Sequence, residues 1–340
     1  MKTQLWLDRF LFVTIITVLG MLCAGESTDA QTKMEKLHVG YSAQAGSLAP
    51  IWITKEAGIF KKHGLDVELL FIPGGPTAAA ALLSGEVPIT VVGGPAVVSS
   101  NLAGSDLVMI AGIVNTFAFQ IVTVKGITSS QQLKGKRLGV SGFGSASHNA
   151  ALILLKKFNL EPNKDVALVV AGPTMERLAA VDAARIDATI LTPSELPRAR
   201  KQGLVEVYDM LDLGIEVQGN GFATSRSFIR SNREVALAAL KGYVEALFYI
   251  SRNREETRRI TGKYMRSTDA DVLDATYEWF VKRVSKRPYP TLKGIQYLLD
   301  EVASKLPNAK SAKPEQFVDL SLLQQLEREG FFGEMAKRYP

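Results

Sequence analysis

Short apolar runs alternate with helical segments over the first two thirds of the chain, beyond residue 30. This alternation is typical of βαβ units, in which buried parallel strands are joined by helices. It predicts an α/β fold. The predicted strands form two series, Leu37–Ser42, Val67–Ile72, Ile89–Gly93, Val108–Gly112 and Gln120–Val124, and then Arg137–Ser141, Ala167–Ala171, Ala188–Thr192 and Val205–Tyr208.

The two series resemble each other at an offset of 95 to 99 residues. The matching pairs, in chain order, are Val39–Ser42 with Leu138–Ser141, Lys61–Leu65 with Lys156–Leu160, Glu86–Thr90 with Arg185–Thr189, and Pro95 with Pro193. Four matches in the same order indicate two α/β units of similar construction. The alternative, that any two βαβ stretches look alike at this level, stays open.

From about Glu234 onward the spacing of apolar residues becomes helical. Helices are predicted at Val235–Asn253, Asp271–Val284, Leu292–Leu306 and Pro314–Gly330. We expect this region to pack against the outside of one α/β unit. Its aromatic residues are interpreted as core, namely Tyr243, Phe248, Tyr277, Trp279 and Phe280.

The first thirty residues have the pattern of a secretory signal peptide. A charged start leads into an apolar run, Phe10–Cys23, and then into a polar stretch containing Ala24 and Ala30. The apolar run is shorter than the roughly 20 residues of a membrane-spanning helix. We therefore expect cleavage between Ala24 and Ala30 and an exported protein, with an uncleaved anchor as the alternative.

Composition excludes several classes of function. Forty Lys and Arg against 34 Asp and Glu, with no basic run interleaved with aromatics, argue against nucleic-acid binding. The three histidines are scattered, and the single cysteine lies in the leader. Gly142–Ser147 lacks the third glycine of a dinucleotide fingerprint and also fails the nucleophile-elbow pattern. We expect no metal, no cofactor and no catalytic residue.

Five predicted strands run into Gly- or Ser-rich turns that open the next helix. Ligands of open α/β sheets bind beyond the carboxyl ends of the strands, where helix N-termini offer unpaired N–H groups. The alternative is that these residues only cap helices. The candidate ligand-binding residues are Gln44, Ser47, Gly75, Thr77, Gly94, Pro95, Gly144, Ser145, Ala146, Ser147, Pro193 and Ser194.

Several segments together resemble the periplasmic solute-binding proteins of ABC importers, of the nitrate, sulfonate and taurine type (SsuA-like). The matching segments are Gly40–Tyr41, Ala49–Trp52, Glu56–Leu65, Leu82–Val87, Leu133–Val140, Arg185–Ala188 and Ala223–Arg226. The resemblance covers essentially the whole chain after the leader. It is specific for the family and not for the ligand.

The resemblance implies a two-domain periplasmic-binding-protein-like (type II) fold with ligand held between the domains. The two crossing strands would fall near Gln120–Lys125 and Gly219–Thr224. Domain one would then be residues 35–124 plus 224–340, with the helical tail packed on it, and domain two residues 125–222. Closure about the crossings is expected on binding.

The implied function is capture of a small organic anion, similar to sulfonate, nitrate or taurine, for an ABC permease in the inner membrane. A monomer is expected. No Lys or Arg lies in the five turns, so an anion would rely on helix N-termini and hydroxyls, with His148 as the only nearby titratable cation. Two alternatives stay open: a neutral aromatic or thiamine-pyrimidine-like ligand stacked on Phe117, Phe143 or Trp52, and an enzyme on the same fold.

Overall fold

The computed structural model describes residues 34–116 and 118–340, so the expected signal peptide lies outside the described residues. Strands form where the sequence has short apolar runs. The strands in the described part of the chain are β1 (Glu35–Tyr41), β2 (Leu65–Phe71), β3 (Ile89–Gly93), β4 (Leu107–Gly112), β5 (Gln120–Thr123), β6 (Arg137–Val140), β7 (Ala167–Val170), β8 (Ala188–Leu191), β9 (Val205–Asp209) and β10 (Asn220–Ser225).

Helices follow most strands of the first two thirds and make up the last third. Those of the described residues are α1 (Ala49–Glu56), α2 (Ile59–Lys62), α3 (Gly75–Ser84), α4 (Gly94–Leu102), α5 (Ala146–Lys157), α6 (Thr174–Asp182), α7 (Leu196–Lys201), α8 (Arg226–Ser231), α9 (Arg233–Ile250), α10 (Arg254–Met265), α11 (Ala270–Arg283), α12 (Leu292–Val302), α13 (Ser321–Arg328) and α14 (Phe331–Arg338). None of them has the length and apolarity needed to cross a bilayer.

The strands form two five-stranded sheets of the same design. The first sheet has the order β2-β1-β3-β10-β4 and the second the order β7-β6-β8-β5-β9. In each sheet the fourth strand runs antiparallel to both of its neighbours. The α/β fold class predicted from the sequence is confirmed.

Strand register also bears out the internal repeat. Gly40 of β1 lies opposite Thr90 of β3, and Gly139 of β6 lies opposite Thr189 of β8, so both pairs keep the offset of 99. Glycine lets the fully buried threonine approach its backbone. A Cβ at Gly40 would lie 2.6 Å from Thr90 Oγ1, and Thr189 Oγ1 donates to the Gly139 carbonyl at 3.0 Å.

The chain passes between the sheets in segments 113–119 and 214–219. These lie several residues earlier than the crossings implied by the family resemblance. The reason is that each crossing strand already belongs to the sheet that the chain is entering. β5 is hydrogen-bonded within the second sheet and β10 within the first. The division into two domains stays a prediction.

The C-terminal helices other than α12 share a hydrophobic core with the first sheet and α1, whereas α12 belongs to a second core that includes α4. Val235–Asn253 corresponds to α9, but the next helix, α10, is not anticipated by the sequence pattern. Pro314–Gly330 is not one helix, because a 3-10 turn at Pro314–Phe317 precedes α13. Trp52 is fully buried in the core shared with the first sheet, where its ring stacks on Tyr264 with centroids 5.1 Å apart.

Candidate functional site

A cleft lies where the turns after the strands of both sheets meet. It has two adjoining compartments that share part of their lining. We call the first the polar compartment; it includes Ser42, Gly75, Ser141, Ser145, Ser147, Thr174 and Arg177. We call the second the apolar compartment; it includes Pro95, Val114, Ala118, Val217, Gln218 and Trp279. Both are lined by Ser47, Phe119, Ala146, Thr192 and Asn220.

The structure brings eight of the twelve candidate residues to this cleft, namely Ser47, Gly75, Pro95, Ser145, Ala146, Ser147, Pro193 and Ser194. The other four stand beside it. Gly94 begins α4 and donates its N–H to the Gly219 carbonyl at 2.7 Å, while Gly144 has the φ of +78° that favours glycine. Thr77 is exposed on α3, and Gln44 is half-buried in the first turn. Ligand contact by all twelve stays a prediction.

Three serine hydroxyls form a triangle at the start of α5. Ser141 Oγ lies 2.9 Å from both Ser145 Oγ and Ser147 Oγ, and the latter two are 3.1 Å apart. Ser145 caps the helix, since its Oγ accepts from the His148 N–H at 3.3 Å. Hydroxyl protons rotate, so this triangle can present donors to a ligand at a helix N-terminus.

Arg177 is a buried cation in the wall of the polar compartment. It is 4% exposed, and no carboxylate of the described residues lies within ion-pair distance of it. Its guanidinium instead donates to Thr189 Oγ1, Thr174 Oγ1 and the carbonyls of Gly172 and Ile190, at 2.8–3.3 Å. Four of the five guanidinium N–H groups are thus used, and one remains for a ligand.

Burial lowers the pKa of Arg177 to about 10, so the side chain is still charged at neutral pH. The expectation that His148 would be the only titratable cation near the turns is therefore wrong. The sequence did contain a signal that Arg177 is buried. Arg177 lies three residues after Thr174 and one before Leu178, and therefore on the buried face of α6.

Two other titratable groups stand near the cleft. Glu195 is buried; burial raises its pKa, against hydrogen bonds from Thr192 and Ser194 and the charge of Arg177. Burial also lowers the pKa of His148, and the charge of Lys305 adds to the effect. Both shifts are in the direction of the neutral form.

The apolar compartment is bounded by two aromatic side chains from different parts of the chain. Phe119 belongs to the crossing segment 113–119 and Trp279 to α11, and both are half-buried. Gln218 is fully buried there. Its Oε1 accepts from the Thr291 N–H at 2.9 Å, and its Nε2 has no partner among the described residues.

These positions correct the aromatic predictions. Trp279 lines the cleft, whereas the four other aromatics interpreted as core are buried (Tyr243, Phe248, Tyr277 and Phe280). Trp52 is unsuitable for stacking a ligand, because it is enclosed in the core. Phe143 is 55% exposed and packs edge-on against His148 without lining either compartment. Phe117 lies outside the described residues.

Turns belonging to the two sheets approach each other closely across the cleft. A Cβ on Gly46 would lie 2.9 Å from Ser194 Oγ, and one on Gly144 would lie 3.4 Å from Pro76 Cγ. Within residues 34–116 and 118–340 no group of His, Cys, Asp and Glu is arranged to hold a metal ion.

Two sheets with exchanged antiparallel strands and a cleft at their strand ends define the periplasmic-binding-protein fold, which solved structures share. Residues 46–257 match the family described as "NMT1/THI5 like". The chain belongs to this NMT1/THI5-like family, in agreement with the resemblance in the sequence.

Similar proteins include binding proteins, two of them named for different ligands. "Putative binding protein YtlA" of Bacillus subtilis is 23% identical over 83% of this chain and 86% of its own length. The alkanesulfonate-binding protein SsuA from Xanthomonas axonopodis pv. citri, bound to MOPS, superposes with a TM-score of 0.69 at 18% identity, covering 86% of this chain and 98% of that one. The periplasmic nitrate-binding protein NrtA from Synechocystis PCC 6803 gives 0.68 at 17%, covering 90% and 89%. At these identities the structures establish the fold alone.

Proposed function

We propose that this chain is the extracytoplasmic solute-binding component of an ABC importer and that it captures a small organic anion in the cleft. The fold and the relative named a binding protein support the general role. Sulfonate- and nitrate-binding proteins among the similar structures support an anionic ligand. An ABC permease as partner, a periplasmic location and a monomeric state belong to the same proposal.

Arg177 is the observation that carries the anionic ligand. A buried guanidinium normally has a carboxylate partner, because removing an isolated charge from water is costly. Here the direct hydrogen-bond acceptors are hydroxyls and carbonyls, and the carboxyl groups of Glu195 and Glu176 act on the guanidinium only through space, without an ion pair. An anion in the polar compartment would compensate that charge. The serine triangle and the N-terminus of α5 would supply further donors.

Calorimetric titration with methanesulfonate, benzenesulfonate, benzoate, nitrate and taurine tests the proposal. Loss of a charged hydrogen bond costs roughly 1.5–3 kcal/mol, so Arg177→Gln should weaken anion binding about ten- to a hundredfold. The matched control is Arg185→Gln, which removes an exposed guanidinium in the turn after the same helix and should leave affinity unchanged. Ser145→Asp, which places a second anion at the serine triangle, should abolish binding.

Circular dichroism and the thermal transition confirm that each variant is folded. The proposal fails if no anion of the panel binds the wild-type protein. It also fails if folded Arg177→Gln and Ser145→Asp both bind as the wild type does.

A further inference from the structure

We infer that the ligand is an amphiphilic monoanion whose charged group lies beside Arg177 and the serine triangle and whose apolar tail lies between Phe119 and Trp279. This inference rests on the proposed function and sharpens it. It names a head such as sulfonate or carboxylate carried on a ring or chain, and it excludes a bare inorganic anion.

Continuity of the two compartments is the first argument. Residues such as Phe119, Ala146 and Asn220 line both, so one molecule can reach from the polar compartment into the apolar one. Nitrate and methanesulfonate carry no ring or chain to place in the apolar compartment.

The second argument is the contrast between the two linings. Hydroxyls and a guanidinium surround the polar compartment, whereas Val114, Ala118, Val217, Phe119 and Trp279 contribute to the other. Aromatic side chains that line a cleft and are only partly buried offer stacking surface to a ligand. Phe119 and Trp279 come from segments far apart in sequence, so local chain geometry does not explain why both face this space.

Charge restricts the head to one negative charge. Arg177 is the one cationic side chain lining either compartment of the described cleft, and the carboxyl of Glu195 lies near it. A dianion would therefore leave one charge uncompensated. An ammonium group on the tail would have to enter an apolar lining, which disfavours a zwitterion.

Gln218 adds a detail about the tail. Its Nε2 is buried without a partner among the described residues, and the residue lines the apolar compartment. Buried donors are normally satisfied. A tail that carries one acceptor, such as an ether oxygen, would satisfy this one and should bind more tightly than the plain hydrocarbon tail.

A ligand series with a constant head tests the tail. The full chain is titrated calorimetrically with methanesulfonate, benzenesulfonate and 4-methoxybenzenesulfonate, and with neutral benzenesulfonamide. Burial of one ring at about 25 cal/mol per Å² predicts that benzenesulfonate binds roughly thirtyfold more tightly than methanesulfonate. The neutral amide should bind at least tenfold more weakly than benzenesulfonate.

Variants of the aromatic walls test the position of the tail. Trp279→Ala should weaken benzenesulfonate binding much more than methanesulfonate binding. Phe119→Ala provides a second variant should the first fail to fold. Phe143→Ala removes an exposed aromatic outside the cleft and is the matched control.

The outcomes separate the two claims. Equal affinities for methanesulfonate and benzenesulfonate, or equal losses of both in Trp279→Ala, would overturn the amphiphilic ligand and leave the anion-binding proposal intact. Equal binding of benzenesulfonate and benzenesulfonamide would overturn the anionic head, and with it the proposed function. No binding by any anion would overturn both.

Discussion

The carboxylate of Glu245 connects α9 with α2 and with the C-terminal end of the chain. It is fully buried and accepts hydrogen bonds from His63 Nε2 at 2.8 Å, from Tyr339 OH at 2.7 Å and from Lys62 Nζ. Arg338 Nη1 lies 3.5 Å away. Glu245→Gln keeps the shape of the side chain and removes the charge around which these donors are arranged.

The expected loss of stability follows from the pKa. Burial raises the pKa of Glu245, but hydrogen bonds from His63, Lys62 and Tyr339 together with the charge of Lys62 outweigh burial and lower it to about 2, from an ordinary 4.5. Because the folded pKa is the lower one, the stabilisation is fully present above about pH 5 and is lost as the pH falls toward 2. A shift of this size corresponds to about 3 kcal/mol.

Urea unfolding followed by tryptophan fluorescence measures the effect, with the buried Trp52 as reporter. At pH 7 we expect Glu245→Gln to lose about 3 kcal/mol of unfolding free energy relative to the wild type. The control is Glu334→Gln. Glu334 accepts from the same Arg338 at 2.7 Å but is 58% exposed, and such surface pairs contribute only about 0–1 kcal/mol.

The pH dependence refines the test. The difference between the unfolding free energies of wild type and Glu245→Gln should narrow as the pH falls from 5 toward 3. In this range Glu245 takes up a proton in the unfolded wild type, near its ordinary pKa of 4.5, whereas the folded wild type keeps it mostly ionised. The reasoning is refuted if Glu245→Gln is as stable as Glu334→Gln at pH 7, or if the difference is the same at both ends of this pH range.

Three further predictions concern the cleft. Small-angle scattering should show a smaller radius of gyration with saturating benzenesulfonate than without it, and identical curves would indicate a rigid cleft. Lys201 Nζ, on α7, pairs with Asp269 at 2.7 Å, just before α11, and with Asp271 at 2.8 Å, within α11. Lys201→Ala should therefore weaken ligand binding less than about fivefold, and high salt should remove this effect. A larger loss of affinity that does not depend on salt would contradict a surface ion pair. Mass spectrometry should recover the bound ligand intact after incubation with the protein. If the ligand is instead converted in molar excess over the protein, and this conversion is lost in His148→Ala, the assignment as a binding protein is overturned.

Strand positions could be predicted because buried parallel strands have apolar runs bounded by glycine, proline and serine. Ile89–Gly93 is predicted without error, and the other strands of the two series within two residues at each end. β10 followed only from the family resemblance, since Asn220–Ser225 has polar ends. The helix α10 was missed because its buried side includes Thr257 and Thr261, which give little hydrophobic periodicity.

The candidate site was predictable where topology dictates it and not where packing does. Turns at the carboxyl ends of parallel strands must lie on one edge of a sheet, which is why Ser145, Ser147 and Ser194 could be found from the sequence. The position of Trp279 depends on how α11 packs against the turn after β8 and against α7. Spacing along a helix cannot distinguish a tryptophan that lines a cleft from one enclosed in a core, such as Trp52.

The exchange of strands between the sheets also determines the order in which they can form as the chain emerges during synthesis. All five strands of the second sheet are contiguous in sequence, from Gln120 to Asp209. The first sheet is split, because β10 pairs between β3 and β4 but follows the entire second sheet in the chain. Until Ser225 has emerged, β3 and β4 have unpaired edges, which are prone to wrong pairing. The first sheet is therefore begun first, with β1, and completed last, with β10.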